Sequence, residues 1–131
     1  MISPAKRSLL ARQSKFANVV YAAELARRYP QLLAVSVHPG VVQTDLINTL
    51  TWPRKYFTHG ANWVQGITPM KPEQGCLSQI WVATAKKSDI VSGGFYTPVG
   101  VLRNDMLDKD AKDPEVAKKL WEWTNEVLAG I

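Results

Sequence analysis

Between residues 8 and 29 apolar side chains recur at helical spacing. Phe16, Val19, Val20, Ala23 and Ala26 mark the apolar side, and alanine is frequent. This pattern predicts a long helix, stopped by Pro30. The period then changes. Leu32-Leu33-Ala34-Val35-Ser36-Val37 is a short apolar, β-branched run of the kind that forms a strand buried on both faces. It ends at His38-Pro39-Gly40. Thr44 and Asp45 suit the N-cap of a short helix through Leu46, Ile47 and Leu50. Residues 51–70 have no period and are rich in aromatics (Trp52, Tyr56, Phe57, Trp63), which predicts an irregular loop. Pro72 is placed to open a second helix as its first residue, with Cys76, Leu77, Ile80, Trp81 and Thr84 on one side. Ser92-Gly93-Gly94 reads as a turn and Phe95–Val99 as a second short strand. Asp113-Pro114-Glu115 combines an N-cap, a first-turn proline and an acid near the positive helix end. Val116, Leu120, Trp123 and Val127 then predict an amphipathic terminal helix ending near Gly130. The order of elements predicts an α/β fold with two short parallel strands and three main helices, in a single domain over residues 1–131.

Composition narrows the classes. The chain has 131 residues, of which 46% are hydrophobic and 21% charged. That is enough apolar surface to offset the entropy of ordering one domain, so whole-chain disorder is excluded. The net charge is +5. Its basic residues come as separated pairs, such as Arg27-Arg28, Arg54-Lys55 and Lys118-Lys119, rather than as a stripe interleaved with aromatics. They read as solvated helix ends, and no nucleic-acid partner is expected. No apolar run reaches the roughly 18 residues of a membrane span, and no signal-peptide pattern follows Lys6 and Arg7. The expectation is no membrane association and a cytoplasmic location.

Cys76 is the only cysteine, so no internal disulfide forms. On an apolar helical stretch it reads as a small buried residue. One cysteine and two histidines offer no metal-ligand spacing. Ser36, His38 and Asp45 are the components of a nucleophilic triad, and Ser36 and His38 share one face of the expected strand. Nothing in the sequence turns Asp45 toward them. His59 sits beside Gly60 in the loop, a surface position.

Two stretches carry a family resemblance. One is Gln13-Ser14-Lys15-Phe16-Ala17-Asn18, followed by Glu24-Leu25-Ala26-Arg27-Arg28. The other is Val35-Ser36-Val37-His38-Pro39-Gly40-Val41-Val42-Gln43-Thr44-Asp45-Leu46. From about Arg12 onward the chain resembles the C-terminal half of a short-chain dehydrogenase/reductase. Members of that family carry Tyr-x-x-x-Lys on a helix, and their next strand ends in Pro-Gly-x-Val-x-Thr. The resemblance implies a partial Rossmann-like fold and NAD(P)-dependent redox of a small carbonyl or alcohol, with NADP or NAD as cofactor. It implies that Lys15 holds the nicotinamide ribose and acts in catalysis. It further implies that Pro39, Gly40, Val42 and Thr44 form the turn that meets the nicotinamide.

Two departures bear on activity. Positions four apart share one helix face, and in the family the lysine's charge lowers the phenol pKa of the tyrosine one turn before it. Here Ala11 stands in the tyrosine position, with no proton to give. The family's Gly-x-x-x-Gly-x-Gly phosphate loop has no counterpart among the eight glycines, so no helix N-terminus is prepared for the pyrophosphate. Residues 1–11 do not match the family. A truncated or misread gene just before Gln13 would produce this pattern. The expectation is therefore a truncated oxidoreductase homologue, impaired or inactive as it stands. The alternative is a non-catalytic remnant acting as a protein-interaction module. The open edge of Leu33–Val37 and the first helix would serve such a module, and they predict a homo-oligomer. A third possibility, a cofactor-independent enzyme, would use Ser36, His38 and Asp45.

Overall fold

A computed structural model of the chain describes residues 4–42 and 70–131. The chain forms two compact units. The first comprises Met1–Ser36, Ala85–Tyr96 and Leu102–Ile131, and the second Val37–Thr84 and Thr97–Val101.

Helix α1 spans Pro4–Arg28 in the first unit. It starts earlier than the apolar period alone predicts, because proline at a first helical position costs no hydrogen bond. Two bases, Arg27 and Arg28, close its last turn, where the helix dipole favours them. After Pro30 the chain turns sharply, Leu32 N–H donating to the Tyr29 carbonyl at 2.9 Å. Leu32 and Leu33 are consequently exposed. Strand β1 is confined to Ser36–Val37. The expected strand over residues 32–37 is thus shortened to its last two residues, with Ala34 just before it tied to Ser92 and Gly93.

Strands β2 (Phe95–Thr97) and β3 (Val101–Leu102) complete a three-stranded sheet in the order β1-β2-β3. Three residues, 98–100, connect β2 to β3. A connection that short permits only an antiparallel pair. The expectation of parallel strands alone is therefore corrected: the sheet is mixed, and β3 is an element the apolar pattern does not announce. Its two residues are exposed, so they leave no buried-strand signature.

In the second unit Pro72–Gly75 forms α2 and Leu77–Thr84 forms α3. Pro72 opens the segment as expected, and the Gln74 carboxamide accepts the Lys71 N–H at 2.9 Å, one half of a capping box. The buried positions are Gly75 and Ser78. Cys76, Leu77, Ile80 and Thr84 are exposed, so the expected apolar face is rotated and Cys76 is not a core residue.

The terminal helix α4, Pro114–Ala129, returns to the first unit. Its Asp113 cap forms as read, with the side chain accepting the Glu115 N–H at 2.8 Å. The inner stripe differs from the expected one. Ala117 is buried, whereas Trp123 is 61% exposed. Trp121 instead turns inward and stacks on Tyr21 of α1, ring centroids 5.1 Å apart. Val20, Ile90, Tyr96 and Ala117 make the buried apolar core among the described residues. The Tyr96 hydroxyl is satisfied there by the Val91 N–H at 2.8 Å.

Candidate functional site

The turn after β1 is built by its own side chains. The Gly40 N–H donates to His38 Nδ1 at 2.9 Å. Gly40 has φ +86°, a backbone region that a Cβ disfavours. A Cβ there would also lie 2.9 Å from both Met70 Sδ and Pro98 Cγ. Val42 pairs with Met70 in a parallel bridge, and the Met70 N–H donates to the Val41 carbonyl at 2.8 Å. The bridge engages Val41, leaving the N–H of Val42 without a hydrogen bond among the described residues. The Val42 side chain packs on α2. A Cβ on Gly75 would meet Val42 Cγ2 at 2.6 Å, which is why a glycine stands there. The second unit therefore brings together Pro39, Gly40 and Val42, three of the five residues expected at a cofactor site, on one hydrogen-bonded turn whose Val42 N–H has no partner among the described residues.

Lys15 belongs to the first unit, near the middle of α1. It is exposed and forms no ion pair among the described residues. Ala11, one turn earlier on the same face, is exposed too. A tyrosine would have room at that position. Thr44 and Asp45 lie outside the described residues, as do Trp52, Tyr56, Phe57, His59 and Trp63.

A serine–histidine pair does not form. The Ser36 hydroxyl donates to the Gly94 carbonyl at 3.4 Å, and His38 Nδ1 is taken by Gly40. The cofactor-independent reading loses its nucleophile and base. Among the described residues no group of His, Cys, Asp and Glu is arranged to hold a metal ion. No helix among them is long and apolar enough to cross a membrane.

Sequence reasoning missed a charge cluster in the first unit. Glu24 is only 2% exposed. Its carboxylate accepts from Arg27 Nε at 2.8 Å and Nη2 at 2.7 Å, and from Arg28 Nε at 2.6 Å. Arg27, followed by Arg28, holds the Glu24 carboxyl down to about 2 against the opposing effect of burial. Arg28 also lies over the Trp121 ring, 4.9 Å from its centroid, a cation–π contact. The signal was an acid followed by bases at the third and fourth positions of one helix. Spacing alone does not say that the acid faces inward.

Comparison with known proteins bears on this geometry. A short-chain dehydrogenase/reductase of Armillaria gallica is 38% identical over 113 residues, which cover 85% of this chain and 34% of that protein. A second from the same fungus is 36% identical, again over 85% of this chain and 34% of the relative. Human retinol dehydrogenase 14 is 32% identical over 129 residues, 95% of this chain and 36% of the relative. The chain thus spans about one third of the length of the curated relatives it matches. No family model and no solved structure matches it. These matches identify the chain as a partial region of a short-chain dehydrogenase/reductase.

Proposed function

We propose that this chain carries the nicotinamide-side region of an NAD(P)-dependent oxidoreductase acting on a small carbonyl or alcohol, and that the chain alone does not turn over. The observation that carries the reading is the turn at Pro39–Val42. Its backbone is held by His38, Met70 and Val41, and the Val42 N–H has no hydrogen-bond partner among the described residues. These residues fit the cofactor: a hydrogen-bonded turn whose Val42 N–H has no partner among the described residues suits the carboxamide of a nicotinamide. Lys15, exposed and without an ion pair among the described residues, suits a ribose hydroxyl. Thr44 is proposed as a further hydrogen-bonding contact. The cofactor, NADP or NAD, supplies or accepts the hydride when bound. Ala11 supports impairment, because a methyl group neither gives nor takes a proton.

The test is a fluorescence titration of the purified 131-residue chain with NADPH and NADH, repeated on Ala11→Tyr. Weak binding by both proteins and no turnover by either are expected, since the phosphate-binding loop is not in this sequence. Tight binding by the parent, or turnover restored by Ala11→Tyr alone, refutes the reading.

A second reading, an interaction module that forms homo-oligomers, has its own support. Among the described residues β1 is an edge of the sheet order, and Leu32 and Leu33 beside it are exposed. An uncovered edge pairs readily with another strand. Light scattering behind size exclusion decides this, and a compact monomer at all concentrations counts against it.

A further inference from the structure

We infer that the first unit holds a binding site for a small organic carboxylate with an apolar body, lying between α1 and the start of α4. The inference does not rest on the cofactor reading above. The site is a cavity of about 400 Å³, within the range of small-molecule pockets.

Its polar groups are asymmetric. Arg27, Asn104 and Lys112 line it as donors. Arg27 gives Nε and Nη2 to Glu24, which leaves Nη1 without a partner among the described residues. Asn104 uses its side-chain oxygen to accept the Phe95 N–H at 2.8 Å, so its amide nitrogen remains as a donor. Lys112 forms no ion pair among the described residues. Asp105, whose charge Lys112 also influences, is already paired with Arg103 at 3.0 Å.

The acidic groups of the lining face positive partners of their own. Glu24 is held by two arginines, one more positive charge than it needs, and Asp113 gives Oδ1 to the Glu115 N–H at the positive end of α4. The cavity therefore offers three donors, two of them charged, while Arg28 and the α4 N-terminus offset the two acids. The complement is an oxyanion. A carboxylate is favoured over a bare inorganic anion because the rest of the wall is apolar, including Ala23, Leu107, Pro114 and Ala117. A cavity of this size accepts a ligand of about ten heavy atoms. Glu24 is a positioning residue here: its two contacts to Arg27 hold that side chain at the cavity wall.

The experiment is calorimetric titration of the full chain with octanoate, with octanol and octylamine as matched probes and amide NMR to locate the contact. Octanoate is expected to bind with Kd below about 1 mM, and octanol on the order of tenfold more weakly. Octylamine should not bind. Shifts should centre on Gly93, Ala111 and Lys112. Lys112→Gln, at an exposed side chain with no ion pair to lose, should weaken octanoate severalfold and leave octanol unchanged. Lys119→Gln, outside the cavity, should change neither. Arg27→Gln should weaken octanoate further, with circular dichroism reporting whether the fold survives. If it does not, the Lys112 variant decides. Equal affinity for octanoate and octanol, insensitivity to Lys112→Gln, shifts located elsewhere, or no octanoate binding would each overturn the inference.

Discussion

Glu24→Gln is the sharpest probe of the first unit. The substitution keeps the shape of the side chain and removes its charge, leaving Arg27 and Arg28 facing a neutral amide. A carboxyl that titrates at about 2 instead of 4.5 is held in its ionised form by about 3 kcal/mol, at roughly 1.4 kcal/mol per pH unit. The Arg27 side chain is 59% exposed, so water screens part of this, and a loss of about 2 kcal/mol at pH 7 is the expected outcome. The sign follows from linkage. The folded pKa is depressed, so the stabilisation is present above pH 4.5 and lost as pH falls toward 2. Urea unfolding of parent and variant, followed by circular dichroism at several pH values, measures it. The difference between them should be largest at neutral pH and shrink through that acidic window. A variant as stable as the parent at pH 7, or a difference that does not change with pH, would refute the argument that Glu24 is held ionised by its arginines.

Three further outcomes follow from local geometry. Asp113→Ala removes the cap of α4 and should cost about 1 kcal/mol in thermal or urea unfolding. Ser78→Ala should be neutral or stabilising by about 1 kcal/mol, because the buried Ser78 hydroxyl has no hydrogen-bond partner among the described residues and its removal relieves a desolvated polar group. Gly100→Ala should destabilise by about 2 kcal/mol or more. Gly100 has φ +70°, and a Cβ there would lie 2.5 Å from Trp81 Cε2. The change should be visible in tryptophan fluorescence as well as in unfolding.

Much of the helical framework was legible in the residues. The Asp113-Pro114 start of α4, the Pro72 start of α2 and the end of α1 ahead of Pro30 all form as read. Each depends on groups within one turn of each other, and such contacts are the same in any fold. The Pro39-Gly40-Val41-Val42 turn was legible for a related reason. Proline restricts one backbone angle and glycine permits a positive one, so the bend follows from the residue types.

What lay beyond reach depends on partners distant in the chain. Trp121 and Trp123 both sit near the apolar side of an amphipathic helix. Tyr21, a hundred positions earlier, makes Trp121 the inner one. Nothing in the spacing around Glu24 says that the packing of the first unit encloses it with its arginines. Leu32 and Leu33 read as strand, yet the Tyr29–Leu32 turn diverts the backbone before pairing begins. Strand β3 has exposed side chains, and its partner across the sheet gives it its conformation. Spacing along the chain specifies which faces are apolar and where helices can start. Which apolar face is buried, and which charge is enclosed with it, is settled by long-range packing, because burial is a property of the assembled surface and not of any one segment.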